Sequence, residues 1–388
     1  MRKPKKQKKP LNDLSRSLTP FDPNQTLTAV VELSKKSWLV AGIIPGVERQ
    51  PLKKVAADAN QLLKLLERWR AEAEKAGHKI TRIAVAFETG RDGFWLARWL
   101  RARGIEAHVI HAASVPVSRE HRRAKTDRLD TEQLKRAFLG WLRGERNHCK
   151  MATIPTFREE DDKRPHRERE TLVGEQTTII NRVKATLTRL GIRNFDPKLE
   201  KAPERLQELR TPEGEPIPPN TLAELKRDLA RKQLVAEQIQ QIEKARLEQL
   251  TGPNLMVLVL MRVIGIGIET ADMLVKEILS RNLRDRRAVA RYGGLTGSPD
   301  ESGSRSREKG LSRSGNARVR KGMIQLAWRF LRFQNESALA KWFEIRTKNA
   351  RTSRKKMIVA LARKLLIALW HLVHDGVVPE GVVLRPAH

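Results

Sequence analysis

The chain reads Thr28-Ala29-Val30-Val31-Glu32 in its first apolar run and Ile83-Ala84-Val85-Ala86-Phe87-Glu88 in a later one. Short apolar runs rich in β-branched residues are typical of strands buried on both faces. Helical periodicity occupies residues 56–75 between them and residues 94–103 after them. Because strands that alternate with helices favour a layered structure, an α/β fold is predicted over residues 26–150.

Two further strands are expected in this region. The apolar run 38–44 follows the first run after a four-residue polar turn, an arrangement typical of a hairpin. Residues 107–110 form another short β-rich run.

Four carboxylates lie at the ends of these predicted elements. Glu32 and Glu88 each end a strand, and ligands collect at the carboxyl ends of strands in open α/β sheets. Asp127 and Asp130 are three residues apart at the start of a helical pattern, so they share one helix face. Glu32 or Glu88 alone is better explained as a surface carboxylate at a strand end, and the aspartate pair alone is explained equally well by the helix dipole. Together the four suit Mg²⁺ or Mn²⁺, ions that activate phosphates.

Composition indicates a polyanionic partner. The 388 residues include 77 Lys and Arg against 45 Asp and Glu, a net charge of +32. An excess of this size favours binding of nucleic acid that weakens as salt rises. The single cysteine, Cys149, excludes an internal disulfide, and the run 356–374 is interrupted by Arg363 and Lys364. We therefore expect a cytoplasmic, nucleoid-associated protein without a membrane anchor.

The pattern changes along the chain. Residues 1–25 are basic and proline-rich and are expected to form a disordered arm. Residues 151–250 are charge-dense and helical around a proline-rich segment, which predicts a helical hairpin or coiled-coil arm suited to self-association. Residues 251–388 are expected to be a second, mainly α-helical domain with a Gly/Ser/Arg-rich loop over 293–315.

Glycines and arginines mark this second half as a phosphate-binding region. Ile264-Gly265-Ile266-Gly267 lies between two apolar helical patterns, which favours a helix-hairpin-helix clamp on a DNA backbone. An ordinary glycine turn explains the pattern nearly as well. In the loop, serines stand beside glycines among arginines, and such a serine is a candidate nucleophile on phosphorus. Composition alone would make the loop merely flexible and basic.

Several tryptophans recur beside apolar helix positions, and we expect them to pack in the core rather than to stack on bases. They are Trp95, Trp99, Trp328, Trp342 and Trp370.

Taken together, these residues resemble the DEDD insertion-sequence transposases of the IS-one-ten class, which are bridge-RNA-guided recombinases. The resemblance runs in order over roughly residues 26–335. It rests on Val31-Glu32-Leu33-Ser34-Lys35, Phe87-Glu88-Thr89-Gly90, Lys125-Thr126-Asp127-Arg128-Leu129-Asp130, Val263-Ile264-Gly265-Ile266-Gly267, Arg291-Tyr292-Gly293-Gly294-Leu295-Thr296, Ser302-Gly303, Gly310-Leu311-Ser312-Arg313-Ser314-Gly315-Asn316 and Arg320.

The resemblance implies a RuvC-like (RNase H-like) domain, a helical arm and a transposase domain whose catalytic serine would be Ser302. Mg²⁺ or Mn²⁺ would be held by Glu32, Glu88, Asp127 and Asp130, and serine and carboxylates would meet across subunits of a dimer or tetramer. The partners would be donor DNA, target DNA and a structured non-coding RNA. The predicted nucleic-acid contacts are Lys125, Arg128, Gly265, Gly267, Arg305, Arg307, Arg313, Asn316 and Arg320.

One departure concerns Glu32, where the family has Asp. Two rival functions follow from the same residues. One is a RuvC-like structure-selective nuclease that uses the carboxylates without a serine step. The other is a non-catalytic nucleic-acid-binding relic of a mobile element, in which Glu32 no longer supports metal binding.

Overall fold

The computed structural model describes residues 14–88, 90, 93–115, 127–249, 255–302, 305–312, 314–348 and 354–386. Within these ranges the side chains of residues 113, 127, 249, 299–302 and 305–309 lie outside the description. The chain divides into two compact units, Met1–Arg158 and Glu159–His388.

Unit 1 is built on a five-stranded sheet with the order β3-β2-β1-β4-β5. Strands β1 and β2 form the expected antiparallel hairpin, whereas β1, β4 and β5 are parallel neighbours. This mixed sheet is consistent with an RNase H-like fold. The strands are β1 Thr26–Glu32, β2 Ser37–Ile43, β3 Leu52–Ala56, β4 Arg82–Glu88 and β5 Glu106–Ile110.

Helices cover both faces of the sheet because the central strands are apolar on both sides. Helices α1 (Ala59–Lys75) and α2 (Trp95–Arg101) pack against one face, with Leu66 and Leu100 fully buried. Helix α3 (Asp127–Leu142) packs against the other face through a stripe of apolar residues. These elements confirm the α/β layer structure predicted for the first half.

Two parts of unit 1 differ from the sequence-based expectation. Strand β3 was not predicted; it pairs antiparallel with the edge of β2 and has two exposed lysines, so its sequence lacks an apolar signal. The segment from Leu14 onward, expected to belong to a disordered arm, packs on the α3 side of the sheet. The backbone N–H of Ser17 donates to the carbonyl of Trp141 (2.9 Å). Residues 1–13 lie outside the described residues.

Cys149 is buried beneath α3. Its thiol donates to the carbonyl oxygen of Ala137 at 3.4 Å, and burial raises its pKa to about 12.

Unit 2 is mainly helical and holds one two-stranded sheet. A short π-helical turn, Val275–Leu279, continues α9. The elements from the unit boundary onward are α4 Phe157–Asp161, α5 Arg164–Arg189, α6 Ala202–Glu208, α7 Pro219–Gln249, α8 Leu255–Met261, α9 Ile268–Leu274, α10 Arg286–Tyr292, β6 Gly297–Ser302, β7 Arg305–Leu311, α11 Ala317–Phe333, α12 Ala338–Lys348 and α13 Arg354–Asp375.

The two long helices of unit 2, α5 and α7, pack against each other around Val183 and Leu229. An ion pair joins them: both oxygens of the buried Asp228 accept hydrogen bonds from the exposed Arg182, at 2.7 and 2.6 Å. Hydrogen bonds from Arg182 hold the pKa of the Asp228 carboxyl below its usual value. Two packed helices are present where the sequence predicts an arm; a coiled coil between subunits stays a prediction.

The C-terminal helix, α13, is long and apolar enough to span a membrane by length and composition alone. Within unit 2 it contributes seven buried side chains to the main core, among them Leu361, Leu365 and Leu366, each fully buried. Its apolar character is explained by this packing.

The segment expected to be a Gly/Ser/Arg-rich loop forms an antiparallel hairpin of β6 and β7 instead. This segment lacks the alternation of apolar and polar residues that predicts strands, so the hairpin could not be predicted from the hydrophobic pattern.

A pH-dependent stability is expected from Glu106, whose carboxylate accepts hydrogen bonds from Arg82 (2.6 and 2.8 Å) and His108 (2.7 Å). Burial alone would raise the pKa of Glu106, but the hydrogen bonds from His108 and Arg82 lower it from 4.5 to about 2. A carboxylate whose pKa is lowered by folding stabilises the protein above its unfolded pKa and loses that contribution as pH falls.

Glu106→Gln should therefore unfold at lower urea concentration than the wild type above pH 4.5, and the gap should shrink as pH falls towards about 2. Glu74→Gln, which breaks an exposed ion pair with Arg70 on α1, is the control and should have little effect. A gap for Glu106→Gln that stays constant with pH would contradict the assignment.

Candidate functional site

The carboxylates Glu32 and Glu88 end two adjacent parallel strands. Val31 lies opposite Phe87 in the register of β1 and β4, so the next residue of each strand reaches the same edge of the sheet. Val30 and Ala86 face α3, and side chains alternate along a strand. Glu32 and Glu88 therefore share the α3 face, and both are half-buried.

Helix α3 begins at the first acid of the predicted pair. Asp127 is its first residue and Asp130 lies one turn later, half-buried. Both are in helical phase with Leu134, which packs against the sheet face that bears Glu32 and Glu88. The side chain of Asp127 and all of Lys125 lie outside the described residues, while Arg128 is exposed.

Carboxylate oxygens suit hard divalent cations, and two of the four acids share one face at one sheet edge. Among the described side chains, however, no group of three or more His, Cys, Asp or Glu is arranged to hold a metal ion. The described part of the site fits the metal chemistry without completing a ligand set, and the four-carboxylate site stays a prediction.

Ser302 ends the first strand of the β6–β7 hairpin in unit 2. It is the last residue of β6 and pairs in register with Arg305, the first residue of β7. Arg307 lies on the same strand, opposite Asp300. The side chains of these residues, and Arg313 altogether, lie outside the described part of the chain.

The base of this hairpin is a tight backbone junction. The N–H of Asn316 donates to the carbonyl of Tyr292 (2.7 Å). Gly315 has φ +87°, and a Cβ added there would collide with the carbonyl oxygen of Arg291. Gly294, at φ +65°, lies against Arg320, whose guanidinium reaches the carbonyl of Ser314 at 3.5 Å. The segments 291–296 and 312–320 are thereby held together.

Both the oxygen and the nitrogen of the Asn316 side-chain amide form hydrogen bonds within the protein. Its oxygen caps α11 by accepting from the N–H groups of Arg318 (3.0 Å) and Val319 (3.4 Å). Its Nδ2 donates to Glu277 at 2.9 Å. The side chain predicted to contact nucleic acid thus fixes the start of α11.

Glu277 is a buried residue that the sequence analysis missed. It lies in the π-helical turn, and its carboxylate also accepts a hydrogen bond from Arg167 of α5 at 3.1 Å. Burial alone would raise the pKa of Glu277, but Arg167, Asn316 and Lys163 together hold it below its usual value. Such turns recur at functional sites. Glu277 stands among apolar residues, and its partners are 110 and 39 positions away, so no local signal marked it.

The two glycines of the predicted clamp differ in their surroundings. Gly265 has φ +97°, and an added Cβ would lie 3.2 Å from the side chain of Phe333, so a close packing contact accounts for this glycine. Gly267 precedes α9 and has open space where a Cβ would be. Gly267 is exposed whereas Gly265 is half-buried, and the clamp itself stays a prediction.

Two of the tryptophans expected in the core are substantially exposed. Trp328 on α11 is 43% exposed and Trp95 on α2 is 40% exposed. The expectation of core packing was wrong for these two, because Trp328 lies on the side of α11 opposite its buried residues and Trp95 is the first residue of α2, away from its buried side.

Comparison with known proteins decides the family. Residues 258–342 match the family model described as "Transposase IS116/IS110/IS902 family". The chain is 41% identical over 371 residues to "Putative transposase y4rJ" of Sinorhizobium fredii (strain NBRC 101917 / NGR234). The alignment covers 92% of this chain and 93% of that protein.

The chain belongs to the IS116/IS110/IS902 transposase family.

The matched span of this transposase runs from α8 into α12. It includes Gly265, Gly267, Ser302, Asn316 and Arg320, together with Glu277. The hairpin and the junction at its base thus fall within the part of the transposase that the family model recognises.

The junction predicts a large difference between two glycine substitutions. Gly315→Ala should lower the free energy of unfolding by more than ~2 kcal/mol, because it adds a backbone collision to an unfavourable positive φ. Gly310→Ala is the matched control, with φ +88° and nothing within 4 Å of its Cβ, and should cost about 1 kcal/mol. Urea denaturation of both variants makes the comparison, and equal losses would contradict the collision.

Proposed function

We propose that this transposase cuts and rejoins DNA through a phosphoserine intermediate formed by Ser302. The Oγ of Ser302 attacks the scissile phosphorus and loses its proton, the bond from phosphorus to the 3′ oxygen breaks, and that oxygen leaves as a protonated 3′-hydroxyl. Attack of a 3′-hydroxyl on the phosphoserine rejoins the strand and returns the serine. The proposal is supported by family membership and by the position of Ser302 at the end of β6, paired with Arg305 of an arginine-bearing strand.

The observation that carries the metal-dependent half of the proposal is the register of β1 and β4, which puts Glu32 and Glu88 at one edge and on one face. With Asp127 and Asp130 they would hold Mg²⁺ or Mn²⁺. A bound cation of this kind stabilises negative charge that develops on phosphate oxygens. Glu32 has one methylene more than the aspartate of the family, and its carboxylate extends further from the strand end.

A guide RNA and a homo-oligomer complete the proposal. The net charge of +32 suits a protein that holds a structured non-coding RNA and two DNA duplexes at once. The arm helices have exposed apolar side chains, including Leu234 on α7 (55% exposed) and Val173 on α5 (37% exposed). Such side chains suit contact with the arm of a second subunit, which would bring serine and carboxylates together in a dimer or tetramer.

The serine step is tested by covalent capture. Wild-type protein incubated with donor DNA, target DNA and the RNA transcribed from beside its gene should retain radiolabelled DNA after denaturation. Ser302→Ala should abolish the adduct, because it removes the proposed nucleophile. Ser298→Ala, on the same strand, should form the adduct normally. Normal recombination by Ser302→Ala would overturn the serine mechanism.

The carboxylate site is tested by two substitutions with opposite expectations. Glu88→Gln should abolish recombination and reduce thermal stabilisation by Mn²⁺, because it removes one negative ligand. Glu32→Asp should retain recombination and the thermal stabilisation by Mn²⁺, because aspartate preserves the ligand charge. Glu74→Gln, exposed on α1, is the control. An inactive wild type rescued by Glu32→Asp would instead favour the relic, and Mn²⁺ stabilisation unchanged by Glu88→Gln would contradict the site.

A further inference from the structure

Helix α11 has a basic face that the proposed chemistry does not use. Its 17 residues contain no Asp or Glu. Five apolar residues, from Val319 to Phe330, bury one side of the helix in the core of unit 2. The opposite side is exposed and is called the α11 face. Its members are Arg318, Lys321, Gln325, Trp328, Arg329, Arg332 and Phe333.

Two large aromatic rings lie on this face. Trp328 is 43% exposed and Phe333 is 46% exposed. Each has a guanidinium beside it: Arg354, at the start of α13, lies 5.9 Å from the Trp328 ring centre, and Arg332 lies 5.6 Å from the Phe333 ring centre. Exposed rings interleaved with arginines are the arrangement on which bases stack while the cations follow the phosphate backbone.

Positive charge is unevenly neutralised along the face. At its N-terminal end, Arg318 and Lys321 both pair with Glu170 of α5, at 3.2 and 2.8 Å. At the ring-bearing end, Arg329 donates to the hydroxyl of Thr270 at 2.6 Å. Within the described residues, neither Arg329, Arg332 nor Arg354 forms an ion pair with a carboxylate. Uncompensated charge and exposed rings therefore coincide.

We propose that the α11 face binds unpaired nucleotides of a DNA strand, with bases stacked on Trp328 and Phe333 and phosphates at Arg329, Arg332 and Arg354. Only unpaired bases offer their faces to a ring, since duplex bases are already stacked on each other. The inference deepens the proposed function and rests on it, because strand cutting and exchange expose unpaired DNA. Helix α11 begins six residues after β7, the strand that pairs with the one ending in Ser302.

Stacking is tested with a pair of single-stranded DNA probes of equal length, one of mixed sequence and one fully abasic. Wild-type protein should bind the mixed-sequence probe more tightly than the abasic probe in fluorescence anisotropy. Trp328→Ala should weaken binding of the mixed-sequence probe roughly tenfold and leave the abasic probe unchanged. Trp328→Phe should restore most of the affinity, because it keeps a ring.

The contribution of charge is tested on the same probes. Arg332→Gln should weaken both and reduce the slope of log affinity against log salt by about 1. Lys341→Gln, on α12 and paired with Glu336 at 3.2 Å, is the charge-matched control. Ile345→Ala, which removes an apolar side chain 68% exposed on α12, is the control for loss of surface area. Lys341→Gln should weaken DNA binding much less than Arg332→Gln, and Ile345→Ala much less than Trp328→Ala.

Three results would overturn the proposal: unchanged binding by Trp328→Ala, an equal loss on the abasic probe, or an equal loss on duplex DNA. A change in oligomeric mass with Trp328→Ala would assign the face to protein contact instead. Circular dichroism of each variant establishes that it is folded. The binding assay needs neither RNA nor cleavage, so a missing Ser302 adduct with intact stacking would reject the serine chemistry alone, and the reverse pattern would reject only the α11 face.

Discussion

The parallel pairing of β1 with β4 is the constraint on which unit 1 depends. Thr26 lies opposite Arg82 and Val31 opposite Phe87, so the two central strands run together and end at one edge. Parallel strands need a crossover between them and cover on both faces, which α1, α2 and α3 provide. The same register brings two glutamates to one face. A slip of one residue would turn Glu88 to the opposite face and separate it from Glu32.

Unit 2 is organised around buried carboxylates in a chain with a large positive excess. Asp228 is 1% exposed and joins the two arm helices through Arg182, while Glu277 is 2% exposed and joins Arg167 of α5 to Asn316 of the hairpin junction. Loss of the arginine would remove part of what compensates each of these carboxylates for desolvation. These two carboxylates therefore connect elements that are far apart in sequence.

Features that depend on neighbouring residues were predicted from the sequence, and features that depend on residues distant in sequence were not. The apolar runs that became β1, β2 and β4 and the periodic stripe of α1 are local, and their positions were predicted within a few residues. The edge strand β3 and the β6–β7 hairpin depend on pairing with a partner strand and were not predicted. Glu32 and Glu88 were placed at strand ends from sequence alone, whereas their common face follows only from the register. The network at Glu277 joins residues more than a hundred positions apart.

The burial of Cys149 has a practical consequence. Thiolates, rather than thiols, react with maleimides and iodoacetamides, and a thiol with a pKa of about 12 and 2% exposure has almost no accessible thiolate near neutral pH. It is also the chain's one native cysteine. A cysteine introduced at an exposed position in each unit would therefore accept a dye or spin label selectively, with Cys149 left in place. Distances between the two units in solution can therefore be measured with such labels without first replacing Cys149.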